Sequence, residues 1–263
     1  MVPSAELGLF GGSGFYAFLD HAEEVEIETP YGPPSDTVAV GAVAGHQVAF
    51  LPRHGRGHTV PPHRINFRAN LWAFKELGVE RVIAPCAVGS LRADLPPGTF
   101  VVCDQLVDRT SGRDDTFFDG PRVVHAGFAD PYCPELRALA VSVAGDLGIP
   151  LRGAGTGVVI QGPRFSTRAE SAFYGRQGWD VIGMTQYPEV VLARELEMCC
   201  LNVSLVTDYD VGLAGMEPVS TAEVVKVLRA NNEALKRFLA ELIGRIPAPR
   251  SCRCGDALAG SGL

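Results

Sequence analysis

Val158-Val159-Ile160, Val181-Ile182-Gly183 and Asn202-Val203-Ser204-Leu205-Val206-Thr207 are three short apolar runs, with room for a helix in each interval between them. Runs this short and this apolar read as strands buried on both faces, since a half-buried strand would alternate with polar residues. Helices are expected from about Thr167 and from about Glu189, in the two intervals. Strands interleaved with helices indicate an α/β fold.

The alternation continues outward. Leu7–Phe10 is a strand-like run closed by Gly11-Gly12-Ser13-Gly14. Thr37–Val43 and Gln47–Leu51 flank Ala44-Gly45-His46 and suggest a hairpin. Ile65, Ala69, Trp72 and Ala73 recur at helical spacing, and Arg81–Ala84 and Phe100–Cys103 read as further strands. Leu136, Leu139, Ala140, Val143 and Leu147 mark a helix that Gly148 and Pro150 stop. A last long helix opens at Ser220-Thr221-Ala222-Glu223, a capping-box pattern, and carries Val224, Leu228, Leu235, Phe238, Leu239 and Leu242 on one face. The expected architecture is one α/β domain over residues 1–246, a central mixed sheet flanked by helices. From Pro247 on, Pro, Arg, Ser and Gly dominate, so residues 247–263 read as a flexible tail.

Composition sets the outer limits. The 263 residues are 46% hydrophobic and 20% charged, enough apolar material for a substantial core. A formal charge of −7 argues against nucleic acid or an anionic membrane surface as partner. No apolar run approaches the ~20 residues of a membrane span, and Met1–Phe10 lacks the features of a signal peptide. A cytoplasmic location is the default. Seven scattered cysteines do not form a secreted disulfide framework. Most read as small buried groups. Cys252-Arg253-Cys254 reads as isolated tail thiols, with a redox pair or contact with Cys199 or Cys200 as the alternative.

Four segments carry chemistry. Gly12-Ser13-Gly14-Phe15-Tyr16-Ala17 fits the dinucleotide-binding Gly-x-Gly-x-x-Gly/Ala pattern, with Phe15, Phe18, Leu19 and Ala22 opening a helix and Glu26 or Glu28 as the ribose-binding acid. It fits equally a tight structural turn, or a nest of backbone amides and the Ser13 hydroxyl around inorganic phosphate. Arg53-His54-Gly55-Arg56-Gly57-His58, after a strand, offers cationic donors to phosphate, or is a solvated basic loop. Met184-Thr185, following Val181–Gly183, adds a hydroxyl donor. Asp208 and Asp210 follow an apolar strand, and their alternate spacing lets both carboxylates face one pocket. A metal site or an exposed turn would show the same spacing, although no His partner for a metal stands out.

Taken together and in order, Leu9-Phe10-Gly11-Gly12-Ser13-Gly14, Pro52-Arg53-His54-Gly55, Gly89-Ser90-Leu91-Arg92, Gln161-Gly162-Pro163-Arg164-Phe165, Met184-Thr185 and Thr207-Asp208-Tyr209-Asp210 resemble the trimeric purine nucleoside phosphorylases, specifically their methylthioadenosine phosphorylase branch. The resemblance runs from about Leu7 to the last helix. It implies phosphorolysis of a purine nucleoside to a free base and a ribose 1-phosphate, with phosphate as substrate and neither a metal nor an organic cofactor. It places Ser13, Arg53, His54, Cys86, Ala87 (through its backbone) and Thr185 on phosphate. Phe165 and Met184 fall against base and ribose, and Asp208 and Asp210 against the purine edge, with Asp208 as the acid toward N7. His125 matches a residue contributed by a neighbouring subunit near the 5′ substituent, so a homotrimer is implied.

Three positions depart from common relatives. Cys86 replaces Thr, and a thiol is the weaker donor. Gln161 replaces Glu. Ser166 follows Phe165 where the 6-oxopurine branch carries Glu, which favours an amino purine and 5′-methylthioadenosine as substrate. Methylthioinosine, adenosine or a broader purine range are the alternatives within the class. A nucleoside hydrolase, a dinucleotide-dependent oxidoreductase and a noncatalytic nucleoside sensor are alternatives outside it.

Overall fold

The computed structural model describes residues 3–11, 19–211 and 219–262. Among these residues eleven strands form a single mixed sheet. At its centre lies β5 (Arg81–Ser90), with β1 (Leu7–Gly11) parallel on one edge and β11 (Cys199–Tyr209) parallel along the other. Outward from β1 come β4 (His46–Pro52), β3 (Val38–Val43) and β2 (Asp20–Val25). Further along the β5 edge that β1 occupies stands β10 (Val181–Gly183), with β9 (Thr156–Ile160) and β7 (Gln105–Arg109) beyond it. The short β6 (Phe100–Val101) and β8 (Leu151–Arg152) extend from β11.

The three decisive runs are β9, β10 and β11, buried as their composition requires. Their intervals hold α3 (Arg168–Arg176) and α4 (Gln186–Glu195). Thr167 and Glu170 close a reciprocal capping box at the start of α3. The hairpin lies between β3 and β4, where Ala44 and Gly45 both take positive φ, the turn whose twist suits tightly joined strands. At the last helix, α5 (Thr221–Gly244), Ser220 accepts from the Glu223 amide while the Glu223 carboxylate faces Lys226 at 3.3 Å. The forward half of the anticipated capping box is therefore present, and Glu223 serves an i,i+3 pair.

Strand alternation sorts side chains onto two cores. Leu7, Leu9, Ile83, Leu201, Val203 and Leu205 face α5 and α2 (Pro134–Leu147). On the opposite face Phe10, Val82, Ala84, Cys200 and Val206 meet α4 and α1 (Phe67–Glu76). Gly8 must be glycine because α1 lies so close: a Cβ there would stand 2.7 Å from the Phe74 ring.

Two expectations are corrected. Ala22, read as part of a helix after the Gly-rich turn, lies in β2, which runs antiparallel to β3, and Glu26 and Glu28 are exposed. A dinucleotide unit needs a helix there to lead into a parallel strand. In place of a free tail, the segment after Pro247 docks on the body. Arg81 donates to the carbonyls of Pro247 (2.8 Å) and Ala248 (3.2 Å), Ser251 N donates to Glu135, and Leu258 N to Glu197. Composition reports only how little apolar surface a segment can bury, and here hydrogen bonds join a buried Cys254 in holding the segment down. No helix among the described residues is long and apolar enough to cross a membrane.

Candidate active site

Along one edge of β5 the partner strand changes. β1 pairs with Arg81–Ile83, whereas β10 pairs antiparallel with Gly89 and Ser90. Between those pairings, residues 84–88 have no ladder on that edge among the described residues, and the sheet splays. A cavity of about 720 Å³ opens there, lined by Gly11, Pro85, Cys86, Ala87, Val88 and Gly89. The parallel strands β1, β4, β5 and β11 bring their carboxyl ends to it from one direction, and β9 and β10 from the other. Loops at such ends are where α/β sheets place ligands.

Arg53, Cys86, Ala87, Met184 and Thr185 all line this cavity, as do His54, Phe165, Asp208 and Asp210. Ser13 lies outside the described residues, although Gly11 of β1 reaches the cavity wall. His125 is exposed and does not line the cavity within a single chain. Val124 and His125 instead meet the C-terminal segment, with His125 N donating to the Ser261 carbonyl at 2.9 Å.

Arg53 is buried at the end of β4, and a second residue explains how. Glu189 of α4 takes Nε at 2.5 Å and Nη2 at 3.1 Å, while Nη1 donates to the Pro85 carbonyl at 2.8 Å, on the stretch of β5 without a strand neighbour. Three of the five guanidinium donors are thereby used, leaving two for a ligand. Burial pushes the Glu189 carboxyl up, opposed by the charges of Arg53 and Arg113. Glu189 carried no signal in the sequence beyond its place in a helix, since its partner is 136 residues away.

His54 stacks on His58 with ring centroids 4.3 Å apart. Burial pulls its pKa down to about 4; the Val60 carbonyl raises it, and the charges of Arg53 and His58 lower it further. The ring is thus neutral near pH 7, and Nδ1, 2.9 Å from the Val60 carbonyl, must carry the proton. Nε2 then presents a lone pair. The donor expected from the sequence is committed to Val60, so the ring can accept from a protonated phosphate oxygen.

Cys86 is seated on a buried polar network. Asn202 Nδ2 donates to its sulfur at 3.3 Å, Ser204 Oγ lies at 3.3 Å, and Ser204 donates on to Asn202 Oδ1 at 2.7 Å. Gln186 and Tyr132 complete the chain. Thr185 is the N-cap of α4 but spends no side-chain hydrogen bond on the helix, which leaves its hydroxyl for the cavity.

On the opposite wall β11 slips one residue against β5 between Val206 and Asp208. The bulge falls at Thr207, and the extended chain beyond it aims both carboxylates at the cavity. Thr207 donates to Asp208 Oδ2 at 2.8 Å. Burial lifts the Asp208 pKa to about 6; the Thr207 hydrogen bond opposes this, and the charge of Asp210 adds to it. Burial pushes Asp210 up as well, against hydrogen bonds from the Ser171 hydroxyl and the Val211 amide. Gly89 makes room for the pair, because a Cβ there would lie 2.9 Å from Asp208 Oδ1 and 3.3 Å from the Asp210 Cβ. Phe165 is 39% exposed, so it is a mouth residue and not core.

One wall was not legible beforehand. Thr221, Val224, Val225, Leu228, Arg229 and Asn232 of α5 roof the cavity, although the helix reads in sequence as an ordinary amphipathic one. Gln161, whose exchange for Glu had no evident consequence, clamps residue 111: Oε1 accepts from Ser111 N at 3.0 Å and Nε2 donates to Ser111 O at 2.9 Å. Glu would supply only the acceptor.

Residues 6–244 match the family model described as the phosphorylase superfamily. The chain belongs to that superfamily. Its relatives in the superfamily include a purine nucleoside phosphorylase of Streptomyces coelicolor, 54% identical over 97% of this chain and 95% of that protein. An S-methyl-5′-thioadenosine phosphorylase of Thermofilum pendens is also 54% identical, over 96% of this chain and 97% of its own length. Among solved structures, a methylthioadenosine phosphorylase from an antarctic soil metagenomic library matches with a TM-score of 0.93 at 37% identity, covering 99% of this chain and 93% of that one.

Proposed function

We propose that the protein cleaves 5′-methylthioadenosine with inorganic phosphate, giving adenine and 5-methylthioribose 1-phosphate. The observation that carries this reading is the cavity that holds Arg53 and Asp208 together, a cationic wall and a buried carboxylic acid in one space. Phosphate sits with Arg53, His54, Thr185, Cys86 and the Ala87 backbone, the resemblance adds the Ser13 hydroxyl, and the purine lies toward Phe165, Asp208 and Asp210, with Met184 beside the ribose.

A phosphate oxygen forms a bond to C1′ while the C1′–N9 bond breaks, and the bonding pair leaves with the purine. Protonated Asp208 delivers its proton to N7 and offsets the charge building on the ring, then regains a proton from solvent. Asp210 accepts from the exocyclic amine, a donor that a 6-oxo purine lacks. The protein's share is to hold the reactants in line and meet developing charge with fixed dipoles. Neither a metal nor an organic cofactor takes part. The apolar residues Val224, Val225 and Leu228 of the roof suit a 5′-methylthio group better than a hydroxyl. A homotrimer would bring His125 of a neighbour to the 5′ end, and the site would be complete only in that assembly.

The test is base release from methylthioadenosine, adenosine, methylthioinosine and inosine, with and without phosphate. Strict phosphate dependence with the highest kcat/KM on methylthioadenosine is expected. Base release that ignores phosphate would mean hydrolysis, and preference for a 6-oxo purine would remove the proposed role of Asp210.

A further inference from the structure

Four of the seven cysteines meet outside the active cavity. Cys133 is the N-cap residue of α2, Cys199 opens β11, and Cys252 and Cys254 belong to the docked C-terminal segment. Their sulfur atoms all lie within 4.8 Å of one another. Cys133 and Cys199 are fully buried, Cys254 is 4% exposed, and Cys252 is half-buried.

We propose that these four thiols form a structural site for a thiophilic divalent cation, zinc by its chemistry, which fastens residues 247–262 to the body of the domain. The donor set is entirely sulfur, which selects zinc and softer ions over magnesium or calcium. Zn–S bonds of about 2.3 Å in a tetrahedron set the sulfurs about 3.8 Å apart, a spacing that this group of four spans. A disulfide, by contrast, joins sulfurs two at a time at about 2.05 Å, whereas Cys199 and Cys252 stand 3.3 Å apart with the other two sulfurs gathered around them. Four protein donors fill the tetrahedron and leave no position for water or substrate, so the site is structural.

Each thiol releases its proton to solvent on coordination, so one Zn²⁺ displaces four protons and the filled site carries two negative charges. A cation already stands beside it. The Arg250 guanidinium interacts with Cys199 and Cys252, held there by the Glu197 carbonyl at 2.9 Å and the Glu80 carboxylate at 3.3 Å. Such outer partners orient ligands and offset their charge.

The consequence reaches further along the chain. Beyond Cys254 the segment runs to Ser261 and Gly262, which hold the backbone of Val124 and His125. A metal at the four cysteines therefore anchors the strut under that exposed stretch. This inference stands whichever nucleoside the cavity takes.

The test begins with the full-length wild-type protein, purified under reducing conditions without chelator, and its zinc counted by elemental mass spectrometry. About one zinc per chain is expected, falling to near zero in Cys252→Ser/Cys254→Ser. A second measurement, independent of that variant's folding, uses wild type alone: chelated protein refilled with Co²⁺ should develop the intense absorption of tetrahedral cobalt–thiolate. Zinc that persists in the double variant, an intact mass short of two hydrogens per disulfide among these four residues, or Co²⁺ that gives no thiolate band would each overturn the proposal.

Discussion

Replacing Asp208 by Asn separates what this carboxyl does for catalysis from what it costs the fold. Asn keeps the shape and can still accept from the Thr207 hydroxyl, but it has neither a charge nor an acidic proton. Asp208 titrates near 6 where an ordinary Asp titrates at 3.8, with burial the main cause. At pH 7 about one molecule in ten then carries the proton that N7 needs, against fewer than about one in a thousand for an unperturbed carboxyl. The same shift has a stability consequence. A carboxyl whose folded-state pKa is raised supports folding fully below about 3.8 and loses that contribution as pH climbs through about 6. At about 1.4 kcal/mol per pH unit, ionised Asp208 costs the folded state about 3 kcal/mol above pH 7. Asp208→Asn should therefore lower kcat on methylthioadenosine by about 10²–10³-fold while raising stability at pH 8 by up to about 3 kcal/mol, with no gain at pH 4. The assays are steady-state phosphorolysis and denaturation midpoints across pH at one fixed protein concentration. A stability change equal at both pH values, or an unaltered kcat, would refute the assignment.

Glu189→Gln keeps one acceptor for Arg53 but removes the charge that fixes its orientation, and disrupting one member of a buried pair costs about 3 kcal/mol or more. The expected result is a melting point lower by several degrees and a phosphate KM raised about tenfold, while the nucleoside KM at saturating phosphate changes little. An unchanged phosphate KM would separate Arg53 from phosphate. Gly89→Ala puts a methyl 2.9 Å from Asp208 Oδ1 and 3.2 Å from the Ile182 side chain, an overpacking of about 1–3 kcal/mol. It should cut kcat/KM at least about tenfold in a protein whose circular dichroism is unaltered, and full activity would show that the carboxylate pair has room to move.

Much of the fold was written locally. Buried strands announce themselves by length and apolar continuity, as in β9, β10 and β11, and helix starts by their caps, as at Thr167 and Ser220. The Gly-rich turn was ambiguous for the same reason: a short motif describes only its own backbone, and β2 following it was decided by pairing with β3. Glu189 and the roof of α5 carried no sequence signal for the site, and Gly89 stood in a motif without its role, because each acts on a partner far along the chain. Cys252 and Cys254, read first as isolated tail thiols with contact to Cys199 or Cys200 as the alternative, do meet Cys199, and Cys133 joins them without any sequence signal.

The sequence by itself determined the buried strands β9, β10 and β11 with helices between them, the cationic loop after β4 and the acidic pair after β11. Only the tertiary structure decided that β1 and β10 share one edge of β5 and leave a gap between them, that Arg53 is held by Glu189 across that gap, and that burial lifts Asp208 to about 6. Periodicity and caps are short-range properties of a chain. Cavities, ion pairs and shifted pKa values arise from the distance and desolvation that packing imposes on residues remote in sequence.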